Sequence, residues 1–323
     1  MAVTAPTPAG GEVVMPKKPR FAKTRESLEV LWESKIAVFG LCLVLFWVFV
    51  AVFADNCIVN PIDCLFSDDW EPTPWVARYS PFEFHRNADD NKISNLQGPS
   101  AEHWLGTDSR ARDLWARLAY GARPVLTLAP LSIAVALFFG GMFGVVSGYY
   151  GGVVDEIIMR TTDALMAFPQ ILLYLVIIAA LGPSALNIVL AITLAGTPGI
   201  ARLVRGLTLD IKTRDYVAAA QTRGEHPLYI MVVEILPNAS GPIIIDAMLR
   251  IGYAVFAIGT LGFLGLGLPP PSPDWGSMVA SGRSFIQAGH PWDALWSALA
   301  IATLVVGLNL LADGMNEQLN RYR

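Results

Sequence analysis

The sequence of 323 residues contains little charge. Only 15% of its residues are Asp, Glu, Lys or Arg, whereas 54% are hydrophobic. An average soluble domain has about 25% charged residues. We therefore predict that lipid or partner proteins cover much of this chain. The formal net charge is −4, so no basic excess indicates a nucleic-acid partner.

Motifs for nucleotide binding and catalysis are also missing. No Gly-x-x-x-x-Gly-Lys-Ser/Thr loop is present, so the chain has no phosphate-binding loop for ATP. Neither His-Glu-x-x-His nor Gly-x-Ser-x-Gly occurs, and the four histidines have no spacing typical of metal ligands. We expect a non-enzymatic chain without a cofactor or metal of its own.

Cysteine is rare, with three residues in the chain. Cys42 lies within an apolar run and is interpreted as a small hydrophobic residue. Cys57 and Cys64 follow that run. In an oxidising periplasm they could form a disulfide, and two free thiols are the alternative.

Long apolar runs dominate what the sequence does contain. A helix that crosses a bilayer needs about 20 apolar residues, and six runs are candidates. They are residues 36–54, 125–146, 164–181, 185–200, 242–266 and 294–312. The runs are continuous rather than alternating, which favours helices over the strands of a barrel. We predict an all-α, polytopic membrane protein with six transmembrane helices.

The basic residues predict the orientation of these helices. Residues 1–30 are interpreted as a disordered cytoplasmic tail, because the first apolar run begins too late for a cleaved signal peptide. This tail, the loop 201–238 and the carboxyl terminus carry Lys and Arg, which favours the cytoplasmic side for all three. Residues 55–122 then form a long periplasmic loop. Its arginines oppose the tendency of Lys and Arg to lie on the cytoplasmic side, but this tendency does not hold for long loops.

The cytoplasmic loop has local signals for two helices. Residues 215–223 are rich in alanine, a strong helix former, and Gly224 ends this segment as a carboxyl-terminal glycine would. His226 and Pro227 then start a second, amphipathic helix, with proline at a position where its missing N–H costs nothing. We predict that the sequence Leu-Pro-Asn at 236–238 closes this unit before the fifth span.

This stretch resembles the coupling loop of ABC importer permeases, whose pattern is Glu-Ala-Ala, three residues, Gly, about nine residues, and Leu-Pro-Asn. The residues assigned to the loop here are Tyr216, Ala218, Ala219, Ala220, Gly224, Leu236, Pro237 and Asn238. Ala218 stands where the family has Glu. In the family, this loop docks into a groove on the ATPase subunit and transmits its closure to the membrane helices.

Three further segments resemble permeases of the dipeptide, oligopeptide and nickel importers. They are residues 103–123, 155–169 and 263–278. The sequence departs from that pattern at Ala111, where the family has Gly, and at Ala116 and Pro124, where it has Ser. The resemblance covers residues 36–54 loosely and 103–316 well.

The resemblance implies a type I ABC importer permease fold, with a core of five spans and the coupling loop at 123–316. It implies a second permease subunit, two ATPase subunits that bind the ATP, and a periplasmic substrate-binding protein. The chain would lie in the lipid of the bacterial inner membrane, with both termini cytoplasmic. Peptide, nickel, oligosaccharide or another solute remain open as substrate. The alternative is a secondary transporter or channel, which predicts an inverted repeat that the sequence does not show.

Four polar residues are interpreted as stabilising the amino-terminal ends of helices. Thr107 or Asp108 is expected to cap a helix that starts near residue 112. Asp155 and Asp163 are placed at the start of the third helical segment, where the helix dipole favours negative charge.

Two features of the spans predict packing. Asp246 and Arg250 are four residues apart and are expected to form a structural ion pair rather than a substrate contact. Gly140, Gly141 and Gly144 predict close approach to another helix.

Overall fold

The computed structural model describes residues 34–54, 75–85 and 95–321, with side chains described as far as residue 317. Within these ranges the chain is helical, and its extended structure is limited to an isolated bridge between Thr107 and Asp113. The all-α prediction is confirmed. The predicted tail at 1–30 and both Cys57 and Cys64 lie outside the described residues, whereas Cys42 is an exposed free thiol.

Ten α-helices follow one another along the described chain. They are α1 (Lys35–Val52), α2 (Leu114–Tyr150), α3 (Gly152–Met166), α4 (Gln170–Leu181), α5 (Ala185–Lys212), α6 (Asp215–Thr222), α7 (Pro227–Tyr229), α8 (Leu236–Phe263), α9 (Trp275–Gly282) and α10 (Trp292–Arg321). A π-helical segment, Ile230–Ile235, joins α7 to α8, and a short 3₁₀ turn, Arg283–Phe285, follows α9.

Among the residues that the structure describes, five helices are long and apolar enough to cross a membrane. They are α1, α2, α5, α10 and the continuous helix Pro227–Phe263 that includes α8. The predicted third span, at 164–181, is wrong in its bounds. Pro169 precedes α4, and α3 and α4 meet there at an angle of 85°. Because α4 is only about 18 Å long, it crosses a bilayer only together with α3.

The packing of α2 on α5 shows that the bent α3–α4 pair returns the chain across the bundle. The Thr193 hydroxyl donates to the Ser132 carbonyl at 3.1 Å, and further along both helices the Lys212 ammonium donates to the Tyr149 carbonyl. The two helices therefore run parallel. Consecutive parallel helices need a return crossing between them, so α3 and α4 together supply the sixth crossing.

Glycines bring α2 and α5 into close contact. Gly140, Gly144 and Gly148 lie one turn apart and form a glycine ridge on α2. A Cβ at Gly140 would lie 2.8 Å from Ile200, and one at Gly148 would lie 2.7 Å from Thr208. The predicted packing role is confirmed for Gly140 and Gly144. It is wrong for Gly141, where a Cβ would meet nothing within 4 Å.

The first and last spans cross at another pair of glycines. A Cβ at Gly40 would lie 2.7 Å from the Gly307 carbonyl oxygen. Nearer the carboxyl end of α1, the Trp47 indole donates to the Thr303 hydroxyl at 3.0 Å and lies edge-on to Trp275. These contacts attach α1 to α10 and to the helix α9.

The helix α2 starts at Leu114, eleven residues before its predicted span and inside the predicted loop 55–122. Its cap is Asp113, whose carboxylate accepts from the Ala116 N–H at 2.8 Å, rather than Thr107 or Asp108. Asp108 instead accepts from two backbone N–H groups of its own turn and pairs with Arg112 at 2.7 Å. The buried His103 ring lies 2.9 Å from Asp113 and fixes the cap.

At the same end of the bundle as the start of α2, Asp274 caps α9 by accepting from the N–H groups of Gly276 and Ser277 at 3.3 and 3.0 Å. Burial raises the pKa of this carboxyl, while these two backbone hydrogen bonds oppose the rise.

Candidate functional site

The end of the bundle at which α5 finishes carries a projecting unit, residues 213–235, which we call the elbow. Its first part is α6, which ends in a Schellman motif: the Glu225 N–H donates to the Ala220 carbonyl, and the Gly224 N–H donates to the Gln221 carbonyl. Gly224 has a φ of +77°, the left-handed conformation that this motif requires. The predicted helix with a carboxyl-terminal glycine is present.

The second part of the elbow begins as predicted but does not end as predicted. The His226 ring accepts from the Leu228 N–H at 3.2 Å, and Pro227 occupies the first turn of α7. We expected Leu236, Pro237 and Asn238 to close the unit, and this is wrong: the helix runs on without a break into α8.

The π-helical segment explains this continuity. Proline has no N–H to donate, and its ring opposes the α-helical turn before it. Here the Leu236 N–H donates to Met231, five residues back, so the turn ahead of Pro237 is wider than an α-turn. The Asn238 amide donates to the Glu234 carbonyl at 2.6 Å and satisfies an acceptor in this turn.

Buried residues fix the elbow to the bundle. Val217 and Ala220 of α6 pack with Ile230 and Ile235 of the π-helical segment, in a cluster that also contains Val145 of α2. Met231 is buried with them. The elbow is therefore attached to the adjoining ends of α2 and α8.

Other residues of the elbow are exposed. Ala218, Ala219 and Gly224 lie on the surface. So do five larger apolar side chains, which we call the apolar face: Tyr216, Leu228, Tyr229, Val232 and Val233. Leu228 and Val232, with 59% and 50% exposure, lie one turn apart. Of the three residues that begin α8, Leu236 is half-buried, whereas Pro237 and Asn238 are exposed.

Beside the elbow, α3 and α5 enclose a polar cleft of about 580 Å³. Asp155 accepts from the Arg205 guanidinium at 2.5 and 2.6 Å and from the Ser147 hydroxyl. Asp163 pairs with Arg202 at 2.6 Å. Asp155 lies in the first turn of α3 as predicted, but Asp163 lies near the end of that helix.

Another ion pair lies on α8. The Arg250 guanidinium donates to Asp246 at 2.5 Å, so the predicted pairing is confirmed. A Cβ at Gly199 of α5 would lie 2.8 Å from an Arg250 nitrogen. The pair on α8 therefore packs against α5, which supports a structural role.

The family model for the inner membrane component of binding-protein-dependent transport systems matches residues 140–322. This range contains the glycine ridge, the polar cleft and the elbow. The chain belongs to this family.

Individual relatives agree with this family assignment. The chain is 36% identical to the dipeptide transport system permease protein DppC of Alkalihalophilus pseudofirmus, over 92% of this chain and 89% of the relative. It is 37% identical to the glutathione transport system permease protein GsiD of Pectobacterium atrosepticum, over 76% of this chain and 81% of the relative. The resemblance to ABC importer permeases is confirmed, against the alternative of a secondary transporter or channel.

A solved structure supports the fold of the permease. The inward-facing MetNI methionine ABC transporter matches with a TM-score of 0.51 at 18% identity, covering 64% of this chain and 96% of the other. At this identity the likeness shows the fold alone. It confirms the predicted type I ABC importer permease architecture.

Sequence reasoning missed the partners of Asp155 in the permease. Ser147 and Arg205 are 8 and 50 residues away from it, in different helices. Arg202 and Arg205 were used only to predict orientation. The available signals were a helix whose acidic residues recur at 155, 156 and 163 and, about 40 residues later, an arginine pair at helical spacing.

The Asp155–Arg205 pair gives a testable stability difference. We expect Asp155→Asn and Arg205→Met to be coupled by about 1–2 kcal/mol in thermal unfolding of the extracted permease, because the pair is doubly hydrogen-bonded and the two side chains are only 18% and 33% exposed. The matched control is the pair Glu156 and Arg160 on the same helix, which is 58% and 78% exposed. Its coupling should stay below about 0.5 kcal/mol. Equal coupling in both cycles would contradict the structural role of the cleft.

Proposed function

We propose that the elbow is the surface through which a separate ATPase subunit moves the membrane helices of this permease. The observation that carries the proposal is the apolar face, which is exposed on a unit whose other side is packed against the spans. An exposed apolar patch on such a unit favours a protein partner. The match to the coupling-loop pattern at Ala219, Ala220 and Gly224 supports the same partner.

The geometry supports a mechanical role. The helix Pro227–Phe263 is continuous from the apolar face into the membrane. Val217 and Ala220 of α6 also belong to the buried cluster that contains Val145 of α2. A displacement of the elbow would therefore shift α8 directly and α2 through packed side chains, which are poorly compressible. Closure of the ATPase subunits would in this way change which side of the membrane the pathway faces.

The assembly that we propose contains a second permease, two ATPase subunits that bind ATP, and a periplasmic substrate-binding protein. This subunit supplies half of the membrane pathway and neither a cofactor nor a catalytic residue. Its termini lie in the cytoplasm, because the elbow and both termini share one side after six crossings. We propose peptides as the substrate class, since the two relatives reported above are named for dipeptide and glutathione transport.

Uptake in proteoliposomes tests the function. The complete complex is reconstituted with its ATPase subunits facing the vesicle lumen, and the binding protein and a radiolabelled dipeptide are added outside. Label should accumulate in the lumen only when the lumen contains ATP. An ATPase subunit with an inactivated catalytic site should abolish uptake, whereas an ionophore that dissipates ion gradients should not. Uptake that needs the gradient and ignores ATP would overturn the proposal.

The apolar face provides a sharper test. We expect Val232→Asp to reduce co-purification of the ATPase subunit by about tenfold or more, because it places an unpaired charge in an apolar contact. The control is Thr213→Asp, which adds the same charge to an exposed polar position at the start of the elbow. Pull-down on the tagged permease measures both. Undiminished ATPase binding by the Val232 variant would show that the partner docks elsewhere.

A further inference from the structure

The helix α8 carries a row of polar side chains on one face. Asp246, Arg250 and Tyr253 are separated by four and then three residues, so they lie above one another along the helix, and we call them the polar stripe. Tyr253 is 67% exposed, and the side chains of Asp246 and Arg250 are 26% and 22% exposed. The polar stripe therefore belongs to the surface that this subunit presents to its surroundings.

The ion pair holds the Arg250 guanidinium in place and leaves some of its donors unused. Its Nε donates to Asp246, and its Nη atoms lie against α5, where a Cβ at Gly199 would be 2.8 Å from one of them. Among the described residues, neither Nη atom has a hydrogen-bond partner, and the Tyr253 hydroxyl has none either. Neither Nη atom is buried. The polar stripe therefore offers hydrogen-bond donors to its surroundings.

The depth of the polar stripe follows from the packing of α8 on α10. Arg250 and Tyr253 flank Gly252, and a Cβ at Gly252 would lie 3.0 Å from the side-chain oxygen of Asn309. Asn309 belongs to the apolar run 294–312 of the last span. The unused donors therefore lie at the depth of the apolar runs, beyond the level at which the elbow projects.

Lipid is a poor environment for this face of α8. A charged side chain at hydrocarbon depth costs about 2.5–3.5 kcal/mol near the centre of a span, and polar groups without partners add to the cost. Charged residues in spans face the interior of an assembly or a water-filled cavity instead. Because the described part of this subunit leaves the polar stripe uncovered, either water or the second permease must cover it.

Two observations favour water over a dry contact with the second permease. The pair of Asp246 and Arg250 is complete within this subunit, so it needs no opposite charge from a partner. The polar stripe also lies on the continuous helix Pro227–Phe263, so a displacement of the elbow would move it. Water and a passing solute accommodate such a movement, whereas a tightly packed interface resists it.

We propose that the polar stripe lines the water-filled pathway between this permease and the second permease, where its unused donors contact hydrogen-bond acceptors of the solute. Carbonyl and carboxylate oxygens of a peptide are acceptors of this kind, and a guanidinium with two unused Nη groups binds a carboxylate at two points. This inference rests on the proposed function, because the pathway exists only in that assembly. Movement of the elbow would change the exposure of the polar stripe during the transport cycle.

Thiol accessibility in the complete transport complex, held in lipid nanodiscs, tests the proposal. Tyr253→Cys is introduced into a permease whose three native cysteines are replaced by alanine, and a charged methanethiosulfonate is the probe. The control is Phe138→Cys on α2, a 68% exposed position on a face that also exposes Leu131 and Met142. The reagent needs water and a thiolate, so Tyr253→Cys should react about tenfold or more faster than the control. The mass of the permease subunit measures both rates.

The outcomes separate this inference from the proposed function. Equal rates for the two cysteines would overturn the inference, because the polar stripe would then face lipid or a sealed contact. If that complex still accumulated dipeptide with ATP, the function of the elbow would stand. Rapid reaction of Tyr253→Cys in a complex whose uptake ignores ATP would support a water-filled pathway and overturn the ATP-driven function.

A second variant does not depend on an introduced cysteine. Asp246→Leu and Arg250→Met together replace the ion pair by apolar side chains, a change that is often neutral or stabilising. We expect thermal stability and ATPase binding to be retained while dipeptide uptake falls by about tenfold, because the solute loses charge-assisted contacts. The control makes the same exchange in the exposed pair on α3, Glu156→Leu with Arg160→Met, and should keep normal uptake. Normal uptake by the Asp246 and Arg250 variant would contradict a solute contact, and so would a loss of uptake that only follows a loss of stability.

Discussion

Gly144→Leu is expected to prevent assembly of the folded permease. A Cβ at this position would lie 2.5 Å from the Ala201 carbonyl oxygen, 2.7 Å from Val204 Cβ and 3.0 Å from the Arg205 backbone nitrogen. Two of these three atoms are backbone, so no side-chain rotation relieves the overlap. The helices α2 and α5 would have to separate along the glycine ridge.

The cost should exceed that of ordinary overpacking, which is about 1–3 kcal/mol, because an entire helix pair must move. Membrane helices depend on such close packing, since lipid gives them no hydrophobic reason to associate. Separation of α2 from α5 would also shift Val145, Val204 and the elbow residues that pack on them. We therefore expect little monodisperse protein after extraction and no uptake by what remains.

Gly141→Leu is the matched control for this prediction. It changes the next residue of the same helix, where a Cβ meets nothing within 4 Å. This variant should give nearly normal yield, thermal stability and uptake. The measurement is size-exclusion chromatography of both variants after extraction in the same detergent. Comparable losses in both would indicate a general intolerance of α2 to leucine, and a normal Gly144 variant would contradict close packing at the ridge.

The sequence predicted the spans because the bilayer imposes a length and a composition that each apolar run shows by itself. It predicted α6 and its end for a similar reason, since alanine, Gly224 and Pro227 act through the local backbone. The glycine ridge depends instead on the face that α2 turns to α5. Gly140 and Gly141 are equivalent in sequence, and only the partner helix distinguishes them.

The start of α2 was missed for a related reason. Arginines at 117 and 123 interrupt the apolar pattern, yet Arg117 is buried and Arg123 binds the last turn of α1. Hydropathy treats these charges as solvent-exposed, because it contains no information on tertiary partners. The same limitation placed Asp163 at a helix start: α3 begins at Gly152, ahead of the apolar run from which the helix was predicted.

The prediction that residues 236–238 end the elbow helix failed because a proline can either end a helix or be accommodated within it. It ends a helix when the preceding turn keeps α-helical bonding, and it is accommodated when that turn widens. Burial of Ile230, Met231 and Ile235 against the bundle favours the second outcome here. The presence of proline in the sequence does not indicate whether such tertiary packing is available.

Gly224→Val is expected to abolish transport while leaving the permease folded and inserted. The residue has a φ of +77°, which a β-branched residue adopts at a cost of about 1–3 kcal/mol. A Cβ meets nothing within 4 Å in this chain, so the change does not disturb the bundle directly. It alters the turn between α6 and α7 and adds bulk to the surface where the ATPase is proposed to dock.

Two comparison variants separate the effects of backbone strain and position. Gly289→Val introduces the same side chain at a φ of +83°, also in open space, but in the segment before α10 at the opposite end of the bundle. It should bear similar strain and keep normal uptake. Gly224→Asn should retain more uptake than the valine variant, because asparagine tolerates the left-handed conformation. ATP-driven uptake and the amount of bound ATPase subunit, measured on equal quantities of inserted permease, decide the result. Normal uptake by Gly224→Val would show that the elbow turn is not needed for coupling. An equal loss of uptake with Gly289→Val would contradict the proposal as well, because backbone strain alone would then explain both variants.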